Sequence, residues 1–97
     1  MFARVARFTF GPGKLDAAKK LSADLVPAIS SQPGCKSVTT FGESETGEYG
    51  LFVLWNSREE ADAAAKVIGP KLMQHLAEND AASSADIRLV EVIGHAP

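Results

Sequence analysis

The chain has 97 residues, 45% hydrophobic and 23% charged, with ten Lys+Arg against twelve Asp+Glu for a net charge of -2. That length sets a ceiling of one hydrophobic core, so residues 1–97 are expected to form a single domain, and the apolar content excludes global disorder. The basic residues are scattered rather than gathered into a phosphate-tracking stripe, and the longest apolar run, Leu51 to Trp55, is far short of a membrane span. Neither nucleic acid nor membrane is an expected partner, and an N-terminus with early arginines and no apolar leader core makes the cytoplasm the expected location. The lone Cys35, with His75 and His95 at no zinc-like spacing, gives no reason to expect a disulfide or a structural metal.

Residues 2–10 carry β-formers, and Phe2, Phe8 and Phe10 share a parity that sends them to one face of a strand ended by Gly11-Pro12-Gly13. From Lys14 to Ser30, Leu15, Ala18, Leu21, Leu25 and Ile29 recur every three or four residues, which predicts an amphipathic helix. Pro27 falls inside that pattern, so the regular helix is expected to end near Val26 or to distort in its last turn. After the Gln32-Pro33-Gly34 turn, Cys35–Phe41 and Glu48–Trp55 read as strands joined by the polar stretch from Gly42 to Gly47, an antiparallel hairpin.

Ser57-Arg58-Glu59-Glu60 fits a capping box, with the serine hydroxyl accepting from the Glu60 N–H and the Glu60 carboxylate reaching back to the serine N–H. A second helix therefore starts at Arg58, its stripe running through Ala61, Ala65, Ile68, Leu72 and Leu76. Gly69-Pro70 is expected to kink it or divide it in two. A small, polar segment from Asn79 to Ala85 precedes a fourth strand, Asp86–Ile93, and a frayed tail.

The order β-α-β-β-α-β is the ferredoxin-like α+β plan, with both helices on one face of a four-stranded antiparallel sheet. A sheet with one wet face alternates strictly, yet Leu51-Phe52-Val53-Leu54-Trp55 is apolar at both parities, and Val90 and Val92 oppose Ile87, Leu89 and Ile93. Two helices bury only one face, so a second copy of the chain, sheet against sheet, is the expected cover, and the protein is expected to be a homodimer.

The turn Gly11-Pro12-Gly13-Lys14, the helix closing on Gln32-Pro33-Gly34-Cys35, the Thr46-Gly47 hairpin and the passage Trp55-Asn56-Ser57-Arg58-Glu59-Glu60 together resemble the antibiotic biosynthesis monooxygenase domain of the dimeric α+β barrel superfamily. The resemblance extends over nearly the whole chain. It implies a cavity between sheet and helices, and a choice among cofactor-independent oxygenases of quinols and polyketide phenols, haem degraders, isomerases and members without activity. Haem degraders of the superfamily pair a helix histidine with an asparagine in the first strand and a tryptophan in the second helix. Here the strand position is Ala6, or Arg7 with a one-residue slip, and the second helix has no tryptophan, which speaks against haem.

Four side chains are candidates for chemistry. Trp55, matching the family's strand-to-helix tryptophan, is either a wall for a flat aromatic or a core plug that fixes helix entry. His75, at the border of the second helix's stripe, is either a general base or merely solvated. Arg7 shares a parity with Val5 and Thr9, and Arg4 the opposite one with Phe2 and Phe8. One of the two is expected to be partly buried, on an anion or in an ion pair with Glu91 or another acid. Tyr49 is either a hydrogen-bond donor to a phenolate-like intermediate or a rim residue. Cys35 has no evident activator, and Glu43, Glu45 and Glu48 read as a solvated loop tip. The function expected from these residues and the resemblance is a cofactor-independent monooxygenase acting on an electron-rich aromatic, a quinol or anthrone. In it His75 is the base, Trp55 the wall, and Arg7 or Tyr49 the anion stabiliser. The alternative is a non-catalytic module that binds a small hydrophobic ligand or assists assembly on the same fold.

Overall fold

Alternation along the first strand decides which side of the sheet meets the helices. The computed structural model describes residues 1–81 and 85–97. In chain order the elements are β1 (Phe2–Thr9), α1 (Leu15–Ser30), β2 (Cys35–Glu43), β3 (Glu48–Trp55), α2 (Arg58–Glu78) and β4 (Asp86–Glu91). The strands form one antiparallel sheet in the order β2-β3-β1-β4, the ferredoxin-like arrangement read from the sequence. The small, polar stretch expected between α2 and β4 includes residues 82–84, which lie outside the described residues.

In the register of the two central strands Phe2 faces Trp55, Arg4 faces Val53, Ala6 faces Leu51 and Phe8 faces Tyr49. These eight residues form the helix-facing side, and Phe8, Tyr49, Leu51, Val53 and Trp55 are buried there with Leu21, Leu25 and Ile29 of α1 and Ala61, Ala64, Leu72 and Leu76 of α2. The stripe read from the sequence is close to this face, except that Ala64 rather than Ala65 turns inward. Leu15, at the start of α1, is exposed.

Of the expectations about proline, the end of α1 near Val26 and the division of α2 in two are corrected. α1 continues past Pro27 to Ser30, and α2 runs from Arg58 to Glu78 through Gly69-Pro70 as one helix. Proline removes the bond to the carbonyl four residues back. Ala23 and Lys66, which own those carbonyls, are exposed residues, so the freed carbonyls are not shut into the core. At the end of α1 the carbonyl of Pro27 accepts from the Ser31 N–H and the Ser30 hydroxyl, which closes the final turn.

At the start of α2, extended Ser57 accepts from the Glu60 N–H at 3.2 Å, as the capping box requires. The reciprocal bond differs from the expected one: the Glu60 carboxylate accepts from the Ser57 hydroxyl at 3.0 Å. Glu59 and Glu60 in the first turn and His75 in the last lie on the sides that the helix dipole favours.

The hairpin tip is locked onto the β1–α1 turn. Gly47 sits at φ +75 and its carbonyl accepts from the Phe10 N–H at 2.8 Å. A Cβ there would strike the Gly11 backbone, so the close approach requires glycine. Within the hairpin, Tyr49 lies over its cross-strand partner Gly42, and Phe41 lies over Gly50 on the opposite face.

The side of the sheet away from the helices carries Ala3, Val5, Leu54 and three large, partly exposed residues, Phe41, Phe52 and Val90, at 39%, 38% and 43% exposure. β4 ends at Glu91, earlier than expected, and Ile93 projects fully into solvent. No helix among the described residues is long and apolar enough to cross a membrane.

Candidate active site

Trp55 closes β3 and is 3% exposed. Its ring, with Leu51, Val53, Ala61, Ala64 and Leu72, walls a cavity of about 70 Å³ between the sheet and α2. Arg4 supplies the one charged side chain among the described residues that line it. Its parity puts it on the helix side, where its guanidinium donates to Asp62 of α2 at 3.0 Å. This is the ion pair expected for one of the two arginines, with Asp62 rather than Glu91 as the acid. The Trp55 Nε1–H is buried and finds no acceptor among the described residues.

Tyr49 stands six residues earlier on the same face of β3, about 20 Å from Trp55 at the rise of an extended strand. Tyr49 lines two cavities. One, of about 290 Å³, lies between α1 and the β2–β3 hairpin, bounded by Phe8, Leu15, Leu21, Lys19 and the Ser22–Thr40 hydroxyl pair, whose oxygens are 2.9 Å apart. The other, of about 450 Å³, also contains Arg7, Thr9, Glu43, Glu48 and Asp86. The two share Phe8, Phe41, Gly42 and Tyr49. The Tyr49 hydroxyl is buried and, like the indole of Trp55, has no partner among the described residues. The ring itself packs in a tilted arrangement on Phe10, centroids 6.0 Å apart.

His75 lines neither of these cavities nor the one beside Trp55. It projects from α2 towards α1, its side chain 17% exposed, with Nε2 2.8 Å from the Asp24 carboxylate. Lys71, one turn earlier, sits 3.7 Å from the other Asp24 oxygen. The hydrogen bond from His75 holds the Asp24 carboxyl below its ordinary value; partial burial opposes this and the nearby Lys71 charge adds to it. The expectation that His75 shares a cavity with Trp55 is therefore not met. Arg7 and Tyr49 border one cavity from opposite faces of the sheet, since Arg7 pairs with Gly50 and Tyr49 with Phe8; Trp55 lies apart from them, and His75 apart from all three.

Burial raises the Cys35 thiol above its ordinary value, which disfavours a nucleophilic thiolate. Among the described residues no group of three or more His, Cys, Asp or Glu side chains is arranged to hold a metal ion. Sequence reasoning missed Asp24 as the partner of His75. The signal was available, because Asp24 borders the Leu21–Leu25 stripe of α1 as His75 borders the Leu72–Leu76 stripe of α2.

The β-α-β-β-α-β order and the β2-β3-β1-β4 sheet define a ferredoxin-like α+β domain, a fold that hosts many unrelated functions. The family model described as antibiotic biosynthesis monooxygenase matches residues 1–66. The chain belongs to that family. No protein with curated function matches it. Among solved structures it is similar to Rv0793 from Mycobacterium tuberculosis, at 20% identity over 99% of this chain and 98% of the other, with a TM-score of 0.76. A protein of unknown function from Nitrosomonas europaea is similar at 19% identity, 99% and 92% coverage and a TM-score of 0.81. SnoaB, a cofactor-independent oxygenase from Streptomyces nogalater, is similar at 19% identity, 99% and 96% coverage and a TM-score of 0.72.

Proposed function

We propose that residues 1–97 act as one unit, a cofactor-independent monooxygenase of an electron-rich phenol of the quinol or anthrone type that occupies the cavity between α1 and the hairpin. The observation that carries this reading is a cavity of about 290 Å³ that Tyr49 helps to line, together with the buried hydroxyl of that residue, which has no partner among the described residues. Buried polar groups are nearly always paired, so an unpaired donor beside a ligand-sized space is where a substrate oxygen would bond.

In this chemistry the substrate is the reductant. Loss of a proton gives an aromatic anion, which passes an electron to O₂. Oxygen then bonds to carbon, and loss of water turns the CH₂ of an anthrone into a C=O, so that one oxygen atom enters the product and the other leaves in water. Tyr49 donates to the developing oxyanion, a role that Arg7, on the other face of the sheet, is not placed to share. Phe8, Leu15 and Leu21 exclude water from the ring.

Trp55 borders the smaller cavity, whose volume is below that of a fused aromatic. His75 stands outside the cavity, so the proton leaves to solvent. A second copy packs on the apolar open face through Phe41, Phe52 and Val90, giving a homodimer, and the pair works in the cytoplasm.

Oxygen uptake with a panel of quinols and anthrones, in the presence of a chelator, tests the reading. Turnover that falls on Tyr49→Phe and survives His75→Ala supports it. A loss of about 10²–10⁴-fold on His75→Ala would return the base role to that histidine. One observation favours the non-catalytic alternative: among its described lining residues the cavity holds no carboxylate and no histidine. Binding of the same phenols without oxygen uptake would decide for it.

A further inference from the structure

The cavity beside Trp55 is too small for an aromatic ring and too apolar for water. A cavity that takes benzene measures about 150 Å³, whereas this one measures about 70 Å³. Its walls are carbon almost throughout, from Leu51, Val53, Ala64, Leu72 and the Trp55 ring. A trapped water needs about two to four polar partners. The Trp55 Nε1–H is buried, and the Arg4 guanidinium is engaged by Asp62. The space opens to solvent at one side, but its carbon walls offer an entering water few bonds, so small apolar molecules, which restore dispersion contacts that a void forfeits, are the favoured occupants.

Its position suggests which molecule. Leu51 and Ala6 in its wall are next but one to Tyr49 and Phe8 in the wall of the larger cavity, on the same face of the same two strands. Two residues of extended strand span about 7 Å, so the two spaces are neighbours beneath the helices. We propose that the cavity walled by Trp55 is a binding site for dioxygen. Dioxygen is apolar and close in size to a water molecule, whose share of liquid volume is about 30 Å³. This assignment rests on the oxygenase reading for its biological purpose, since that reaction consumes dioxygen next door, and on the cavity alone for the binding itself.

The test is methyl proton relaxation of the intact protein in buffer equilibrated with O₂ or with argon, because dissolved O₂ is paramagnetic and speeds the relaxation of protons it lies against. The expected result is excess relaxation under O₂ at the methyls of Leu51, Ala64 and Leu72, above that of Leu25, which is fully buried but does not line the cavity. Xenon, which competes for dry apolar cavities, should remove the excess. Ala64→Val, which fills part of the space, should also remove it, and xenon competition on the unaltered protein serves if that variant does not fold. Relaxation at Leu51 and Leu72 no greater than at Leu25 overturns the proposal. O₂ uptake is read separately: localised relaxation without turnover keeps the gas site and removes the oxygenase reading, and turnover without localised relaxation does the reverse.

Discussion

Replacing Tyr49 by phenylalanine removes a single oxygen atom and should make the protein more stable. The hydroxyl is buried without a partner, and an unsatisfied buried polar group costs about 1–3 kcal/mol. Phenylalanine keeps the ring contact with Phe10 and the packing over Gly42, so little is lost to set against that gain. A gain of about 1 kcal/mol, the low end, corresponds to a rise in Tm of about 4–8 °C for a domain of this size. Calorimetry and urea titration at one fixed protein concentration read it, the fixed concentration being needed because association also shifts Tm. The same substitution should weaken phenol binding by about 0.5–1.5 kcal/mol, roughly 2- to 13-fold, the worth of one hydrogen bond. Stability and binding therefore move in opposite directions. A lower Tm in Tyr49→Phe would mean that the hydroxyl has a bonding partner in solution, and the inference of a ligand from its solitude would fall.

Ser57→Ala deletes the acceptor of the Glu60 N–H and the donor to its carboxylate, and should cost about 0.5–2 kcal/mol, read as a lower urea midpoint at unchanged slope. Asp24 contributes with a definite sign. Its folded pKa lies below the ordinary 3.8, so its contribution is complete above that value and is lost as pH falls through the lower folded value. The stability difference between the protein and Asp24→Asn should accordingly be widest at neutral pH and close below about pH 3.8; a gap that persists at pH 2 would show that charge on Asp24 is not its source. Phe52→Glu puts a charge in the middle of the open sheet face and should convert the proposed homodimer to monomer in sedimentation at micromolar protein, whereas an unaltered chain already monomeric and folded would refute the sheet-to-sheet assembly.

Strand and helix identities were legible because each rests on a local period. The parity of Phe2, Phe8 and Phe10, the spacing of Leu21, Leu25 and Ile29, and the serine before Arg58 each act over a few residues. The continuity of the helices was not legible. Whether a proline breaks a helix depends on whether the carbonyl four residues back can reach water, which is a property of the packed surface. The candidate site was legible only in part. Arg7 and Tyr49 lie at the same end of two paired strands but on opposite faces, and the place of His75 was decided by Asp24, 51 residues away on another helix. Cavities are what remains after side chains from several elements have packed, so no single stretch of sequence announces their size.

The sheet order has a consequence for how the chain is made. β1 is the first strand to be synthesised and one of the two central ones, with β3 on one side and β4 on the other. Its pairing with β4 joins Phe2 to Glu91, a separation of 91 − 2 = 89 residues, nearly the length of the chain. The last contacts of β1 therefore cannot form until the chain has been made as far as Glu91, and the sheet is completed well after β1 itself is available. A chain terminated before Asp86 would leave one whole edge of β1 without its hydrogen-bonding neighbour, an open template for pairing with other nascent chains. Premature termination should for that reason give aggregates and not a smaller folded protein.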